Sequence, residues 1–284
     1  MIKDNRMVHS VELFAQAKVN LGLWVGSPAA NGYHPIDTIM HTVEWADSLV
    51  IRDHHRYQLT VPHYPQLATD DNLVTRAYHW LLDQGAELPP VSVTLNKRIP
   101  TGAGLGGGSS DAAAVLRWAQ SLGFAGNASV AELGMDVPFF LCQGAARARG
   151  FGEQLTPLAQ WPGLGLLLMN PGFEVSTKMV YQAYDIMDNQ GDCAIDELER
   201  LWQRRQMPDH FCNVLEPAAW RVAPALKDFK DALTRWMSPF GCYLSGSGGT
   251  YYSIGLDPDQ LEWYQDKLLN CHVPWVVATR LTGE

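Results

Sequence analysis

Five glycines within seven residues, then two hydroxyls and a carboxylate, make Pro100-Thr101-Gly102-Ala103-Gly104-Leu105-Gly106-Gly107-Gly108-Ser109-Ser110-Asp111 the stretch best suited to chemistry. Glycine reaches positive φ freely and has no Cβ to keep a ligand away, so this backbone can wrap closely around an anion. Ser109, Ser110 and Asp111 read as the capped start of a helix. A helix N-terminus offers open N–H groups and the positive end of a dipole, which suits phosphate. Four other places carry groups that could serve such a cradle: Lys18 within Ala15-Gln16-Ala17-Lys18-Val19-Asn20-Leu21, Gly32-Tyr33-His34, Asp136 before Val137-Pro138-Phe139, and the second glycine turn Leu244-Ser245-Gly246-Ser247-Gly248-Gly249-Thr250. By residue type alone each also has an ordinary reading. These are a solvated strand-edge lysine, a surface turn at Asn31-Gly32, a carboxylate that caps the next element and a hairpin loop.

The elements that must position these groups follow from periodicity. Val11 to Val25, Val43 to Arg52 and Tyr57 to Val61 read as strands, with a loop from Gly26 to His34. Asn72 to Gln84 has helical spacing, and Val91, Val93 and Leu95 alternate with polar residues in a strand that leads into the glycine loop. Ala112 to Leu122 is the helix after it. Pro157, Pro162 and Gly163 mark a boundary near residue 160. Beyond it come a buried strand (Leu164 to Met169), helices at Val175 to Met187, Ile195 to Arg205, Ala223 to Met237 and Pro258 to Leu269, and strands at Cys242 to Ser245, Thr250 to Ile254 and Trp275 to Leu281. Strands and helices without strict alternation favour α+β, with domains at 1–160 and 161–284.

Composition narrows the class. The 284 residues are 46% hydrophobic and 18% charged, as in a soluble globular protein, and the net charge of −9 argues against nucleic acid as the main partner. Five scattered cysteines without a C-x-x-C pair suggest neither a disulfide framework nor a zinc site. Met1 to Arg6 leads into no signal-like apolar core, and no run reaches the roughly 18 apolar residues of a membrane span, so the expected location is cytoplasmic, away from membranes.

Two familiar phosphate loops fit the glycine stretch poorly. Gly102-x-Gly104-x-x-Gly107 matches the dinucleotide fingerprint, but no acidic residue follows roughly 20 residues on to hold a ribose. A Walker loop needs Gly-Lys-Ser/Thr, whereas Gly108-Ser109-Ser110 has no lysine and Lys97 precedes the loop. A ligand-free glycine loop also stands as a reading, against the entropic cost of ordering five glycines.

Over its full length, Pro100 to Asp111 resembles the ATP-binding motif of the GHMP small-molecule kinases. The resemblance extends in order along the chain. It includes Ala-Lys-x-Asn-Leu at Lys18 and Asn20, Asp71-Asn72-Leu73-Val74, Lys97-Arg98, Asp136-Val137-Pro138 and the Ser-Gly-Ser-Gly of Ser245 to Gly248. Two features depart from the pattern. Gln16 stands where most members have proline, and the stretch from Asp111 to Asp136 is a few residues shorter than usual.

The resemblance implies a two-domain fold, with an N-terminal ribosomal-S5-like ATP-binding domain and a C-terminal ferredoxin-like α/β sandwich. It also implies Lys18 and Asp136 as catalytic residues, the aspartate as general base and the lysine beside it. Nucleotide binding would fall to Asn72, Lys97, Pro100, Gly102, Gly104, Leu105, Gly106, Gly107, Gly108, Ser109 and Ser110, with ATP as co-substrate and Mg²⁺ alongside. Gly32-Tyr33-His34 points to the branch whose acceptor carries a cytidyl diphosphate, in the non-mevalonate route to isoprenoid precursors. There Tyr33 and Tyr181 would sandwich the cytosine and the His34 ring would hydrogen-bond its edge. Asn20, Asp136, Thr177, Gly246, Ser247 and Gly248 would complete the acceptor site. The implied reaction moves the γ-phosphoryl of ATP to the acceptor's 2-hydroxyl, in a monomer or weak homodimer. Another small-alcohol kinase of the family and a non-catalytic nucleotide-binding relative are the alternatives.

Overall fold

The computed structural model describes residues 10–125, 129–142, 144–187, 191–238 and 240–283; Met1 to Arg6 and part of Gly126 to Met135 fall outside these. The strands are β1 (Val11–Val25), β2 (Ile36–Asp53), β3 (Gln58–Thr60), β4 (Val91–Asn96), β5 (Ala145–Arg149), β6 (Gln154–Pro157), β7 (Gly165–Asn170), β8 (Tyr243–Leu244), β9 (Tyr251–Leu256) and β10 (Trp275–Arg280). The helices are α1 (Leu73–Asp83), α2 (Gly107–Ser121), α3 (Val137–Cys142), α4 (Thr177–Asp185), α5 (Ile195–Gln203), α6 (Glu216–Val222), α7 (Pro224–Trp236) and α8 (Pro258–Asn270).

Two compact units emerge, each built from several chain segments. One contains Met1–Ala17, Ala46–Ile99 and Gly106–Leu141; the other contains Lys18–Trp45, Pro100–Leu105 and Cys142–Glu284. The segments interleave because β1 and β2 each run on from one unit into the other.

In the first unit, Ser48 to Asp53 of β2 lie antiparallel to β4, and β3 lies parallel to β4 on its far side. Val91, Val93 and Leu95 bury one face of β4, as their alternation requires. Helices α1 and α2 pack together. Asn72 caps α1 by accepting the N–H of Val74. Helix α2 is buried from Ser110 through Leu116 and again at Trp118 and Ala119, nearly all round, which explains its run of small alanines.

In the second unit, Thr38 to His41 of β2 pair with β5, and β5 pairs with β6. A separate antiparallel sheet has the order β10-β7-β9-β8, with α8 packed on β10 and β7. Every residue of central β7 is buried, as a continuous apolar strand should be. The Cys212 to Val214 segment hydrogen-bonds to Leu23 of β1, while Gly22 lies against Leu198 and Ile195 of α5. Cys193, two residues before α5, thereby meets Cys212, and the two form a disulfide with Cα atoms 5.8 Å apart. This departs from the sequence reading, in which the five scattered cysteines suggest no disulfide framework: a spacing of 19 residues matches none, and it is β1 that brings the two segments together. Among the described residues, no helix is long and apolar enough to cross a membrane.

Candidate active site

Gly102, Gly104 and Gly106 all take positive φ, at 59°, 75° and 70°. Gly104 also leaves no room for a side chain: a Cβ there would come within 2.1 Å of the Ser245 carbonyl oxygen. Gly106, rather than a serine, is the N-cap of α2, and it makes no side-chain cap hydrogen bond. Here the structure corrects the expected cap. The helix begins at Gly107, so Ser109, Ser110 and Asp111 lie inside it, past the N-cap position. The first N–H groups therefore have no side-chain cap and suit an anionic ligand.

Within the first unit, α2 opens over a buried charge cluster. Lys97 Nζ lies 2.5 Å from Asp47 Oδ2 and 2.9 Å from Asp111 Oδ2. Asp47 Oδ1 accepts the N–H groups of Arg98 and Ile99. Burial alone would pull the Lys97 ammonium down, but Asp111 and Asp47 outweigh it and hold its pKa up. Burial pushes the Asp111 carboxyl up; Lys97 opposes this and the like charge of Asp47 reinforces it. The lysine expected to touch nucleotide is thus committed to two carboxylates under the glycine turn, 3.1 Å from where a Gly107 Cβ would stand. Asn72 is likewise occupied, with its Nδ2 donating to Leu67 O while its Oδ1 caps α1. Leu73 beside it lies against Gly108.

Ser110 is 1% exposed and its Oγ has no hydrogen-bond partner, as is true of Asp111 Oδ1. A buried hydroxyl without a partner is costly, and a phosphate oxygen or a Mg²⁺-bound water would satisfy it. No group of three or more His, Cys, Asp or Glu among the described residues could hold a metal. The orphaned Ser110 hydroxyl is compatible with Mg²⁺ carried mainly on phosphate oxygens and water, which asks few ligands of the protein.

Asp136 is half-buried just before α3, and its carbonyl accepts the Phe140 N–H. Pro138 occupies the first turn of α3, where its fixed φ suits a helix start. The shortened approach to Asp136 is tied to α1: Arg76 donates to Glu132 O and Trp80 Nε1 to Glu132 Oε2. Gly134 stands close enough to Ser109 that a Cβ would lie 3.2 Å from Ser109 Oγ. The Asp136 loop and the α2 turn are therefore neighbours.

The second unit gathers most of the remaining residues. Lys18 is buried, with Nζ donating to Asn20 Oδ1 at 2.5 Å, and its N–H donates to Leu105 O. Asn20 donates from Nδ2 to Thr38 Oγ1 and from its backbone to Ser245 Oγ. Ser245 Oγ donates to Gly104 O at 2.9 Å and Thr250 N to Ala103 O at 3.1 Å. The second glycine turn thus grips the first half of the glycine loop. Gly246 sits against Gly104 and Asn20, Ser247 hydrogen-bonds Thr177 Oγ1 at 2.7 Å, and Gly248 lies on Leu226 and Leu244. Pro100 opens the loop, and Thr101 next to it hydrogen-bonds Glu174.

At the other expected subsite Tyr33 is 54% exposed, with its edge toward Phe151. His34 is buried, and its ring faces Tyr181 at 5.0 Å. Both His34 ring nitrogens are engaged, Nδ1 with Gly26 O at 2.9 Å and Nε2 with Asp185 Oδ1 at 3.3 Å. Asp185 and Asp47 are the acidic residues that sequence reading passes over. A carboxylate inside the apolar Trp45-Ala-Asp-Ser-Leu-Val50 strand was a legible signal for Asp47. For Asp185, its place one turn beyond Tyr181 on the same helix face was the available hint.

The family model for the GHMP kinases N terminal domain matches residues 72–144. The chain is 37% identical over 252 residues to the 4-diphosphocytidyl-2-C-methyl-D-erythritol kinase of Thermus thermophilus, covering 88% of this chain and 89% of that protein. It is 36% identical over 280 residues to the enzyme of the same name from Deinococcus radiodurans, covering 94% and 92%. A crystal structure of 4-(cytidine 5'-diphospho)-2C-methyl-D-erythritol kinase superimposes with a TM-score of 0.80 at 34% identity, covering 96% of this chain and 100% of that one. A homoserine kinase from Cytophaga hutchinsonii shares the fold, with a TM-score of 0.66 at 19% identity.

Proposed function

The chain belongs to the GHMP kinases, and within them to the 4-diphosphocytidyl-2-C-methyl-D-erythritol kinases; we propose that it transfers the γ-phosphoryl of ATP to the 2-hydroxyl of that cytidyl ester. The observation that carries this reading is the glycine loop. Three left-handed glycines lead into a helix start without a side-chain cap, beside a buried serine hydroxyl that has no partner. Phosphoryl transfer asks the protein mainly for alignment and charge stabilisation, and this backbone supplies donors already fixed in place.

Gly104 to Ser110 hold the nucleotide phosphates through backbone N–H groups, while Asp136 accepts the proton of the acceptor hydroxyl. Lys18, its ammonium oriented by Asn20, stabilises the negative charge of the transferring group. Lys97 acts from below, tying the N-terminal part of α2 through Asp111 to β2 through Asp47. When bound, Mg²⁺ would supply charge neutralisation on the phosphate oxygens, and Ser110 Oγ is the protein group that would help hold it. Tyr33 and Tyr181 present aromatic faces to the pyrimidine. The protein works as a monomer or weak homodimer in the cytoplasm.

The test is ADP release with and without the cytidyl acceptor, for the unsubstituted protein and for Asp136→Asn. Acceptor-dependent release, reduced about 10²–10⁴-fold in the variant while ATP still binds, supports the reading. ATP binding without acceptor-dependent release contradicts it and favours a non-catalytic relative.

A further inference from the structure

We propose that Asn213 is a positioning residue for phosphoryl transfer: its side-chain amide fixes the peptides on either side of Ser245 and, through Ser245, the Asn20–Lys18 pair. The inference rests on the acceptor reading above, in which Lys18 stabilises the transferring group, and adds to it the residue that holds the lysine's support in place.

Asn213 lies between α5 and α6, and its backbone is pinned on both sides to β1. The Leu23 N–H donates to Cys212 O and the Val214 N–H to Leu23 O, both at 3.0 Å, so Leu23 and Asn213 form a parallel bridge. The side chain is held as firmly. Its Oδ1 accepts the Leu215 N–H at 2.9 Å, which fixes the sense of the amide and leaves Nδ2 aimed at the second glycine turn. Nδ2 donates to Leu244 O at 2.9 Å and to Gly246 O at 2.7 Å. An amide nitrogen has two protons to give, and both are spent on this turn.

Those two carbonyls bracket Ser245. The turn around it needs an outside anchor, because Gly246 and Gly248 take φ of 58° and 107° and bring the entropy of glycine with them. Ser245 must nonetheless stand still. Its Oγ accepts the Asn20 N–H at 3.3 Å and donates to Gly104 O at 2.9 Å. Asn20 Oδ1 in turn accepts from Lys18 Nζ. A chain of hydrogen bonds thus runs from Asn213 through Ser245 and Asn20 to the lysine ammonium, all within one compact unit. Leu244 and Gly246 are buried, so without the amide their carbonyls lose a donor that water does not readily replace, and the turn shifts.

Asn213→Asp tests this with little change of shape. The carboxylate still accepts the Leu215 N–H but offers the two carbonyls an acceptor in place of donors. In steady-state turnover with ATP and the cytidyl acceptor, kcat and kcat/KM are expected to fall together by about 10²-fold, as for a shift of about 1 Å, while the KM for ATP changes less than about threefold. Asn213→Gln, which restores both donors on a longer arm, should recover about tenfold of that loss. Urea denaturation of each variant puts turnover on the basis of folded protein. An unchanged kcat per folded molecule, or equal losses in the two variants, overturns the inference. Should Asn213→Asp not fold, Asn213→Gln decides: a kcat about tenfold below the unsubstituted protein supports the role, and an equal kcat overturns it. Absence of acceptor-dependent turnover in the unsubstituted protein overturns the acceptor reading, and this inference with it.

Discussion

Replacing Gly104 with alanine puts a methyl group where the fold has none to spare. The new Cβ would stand 2.1 Å from Ser245 O and 3.0 Å from Gly248 O, both backbone atoms that no rotamer change can move. Relaxed non-bonded carbon contacts begin near 3.5 Å, so the two glycine segments must separate by about 1 Å or more. At a φ of 75°, alanine also bears the left-handed penalty of about 1–2 kcal/mol. Separation strains the bonds from Ser245 Oγ to Gly104 O and from Thr250 N to Ala103 O, each worth about 1 kcal/mol net. The expected destabilisation is therefore about 2–4 kcal/mol. Function should suffer more than stability, because a shift of about 1 Å in a positioning loop costs roughly 10²-fold in turnover. Steady-state turnover with ATP and the cytidyl acceptor, paired with urea denaturation, reads both effects. Gly85→Ala is the control. Gly85 has a φ of 82° and nothing within 4 Å of its missing Cβ, so it should lose about 1–2 kcal/mol and no turnover. Near-normal turnover in Gly104→Ala, or equal turnover losses in both variants, would refute the reasoning.

Two further expectations concern residues away from the phosphates. His41 is fully buried, with Nδ1 donating to Thr42 O and Nε2 accepting from Trp161 N, and burial lowers its pKa from 6.5 to about 4. Between those values the unfolded chain binds the proton and the folded one does not, so stability rises with pH across that window. Its loss on acidification is about 3 kcal/mol for this group. Denaturation at pH 7 and pH 4.5 should show a smaller difference in His41→Gln than in the unsubstituted protein; equal differences would exclude His41 as the source. Arg117 on α2 donates to Phe140 O of α3 and to Phe14 O of β1, and so steadies the short helix that follows Asp136. Arg117→Met should lower kcat about tenfold or more with a smaller effect on the KM for ATP, and Arg117→Lys should recover part of it. An unchanged kcat in a folded Arg117→Met protein would contradict that role.

Much of the fold was legible where a single element carried its own signal. The alternation of Val91, Val93 and Leu95, the capping Asn72 and the unbroken apolar run of β7 each announce an element with boundaries good to a residue or two. Helix α3 was not legible: six residues give less than two turns of periodicity, and Pro138 reads as a loop residue until its place in a first turn is seen. Strand β5, Ala145-Ala-Arg-Ala-Arg149, buries even Arg147, which ion-pairs with Asp37, Asp196 and Glu199, so the polar–apolar alternation of a half-exposed strand is absent. Strand β6 and helix α6 were also missed, being only four and seven residues long.

The candidate site divides in the same way. The glycine loop, Lys18, Asp136 and Tyr33-His34 stand out by residue type. What supports them is non-local: Asp47 lies fifty residues before Lys97, Ser245 is 141 residues from Gly104, and Asp185 is distant in sequence from His34. The true cap of α2 escaped notice because serine is the commoner cap, and only the positive φ of Gly106 shows where the helix starts.

The central claim, phosphorylation of the 2-hydroxyl, is tested most directly by phosphorus NMR of the product formed from ATP and the cytidyl acceptor. Carbon 2 of that acceptor bears the methyl group and no hydrogen. A phosphate on its oxygen therefore gives a new monoester resonance without three-bond proton coupling, and that is the predicted result. A new resonance split by neighbouring protons would place the phosphate on another hydroxyl, and inorganic phosphate alone would mean hydrolysis; either contradicts the account.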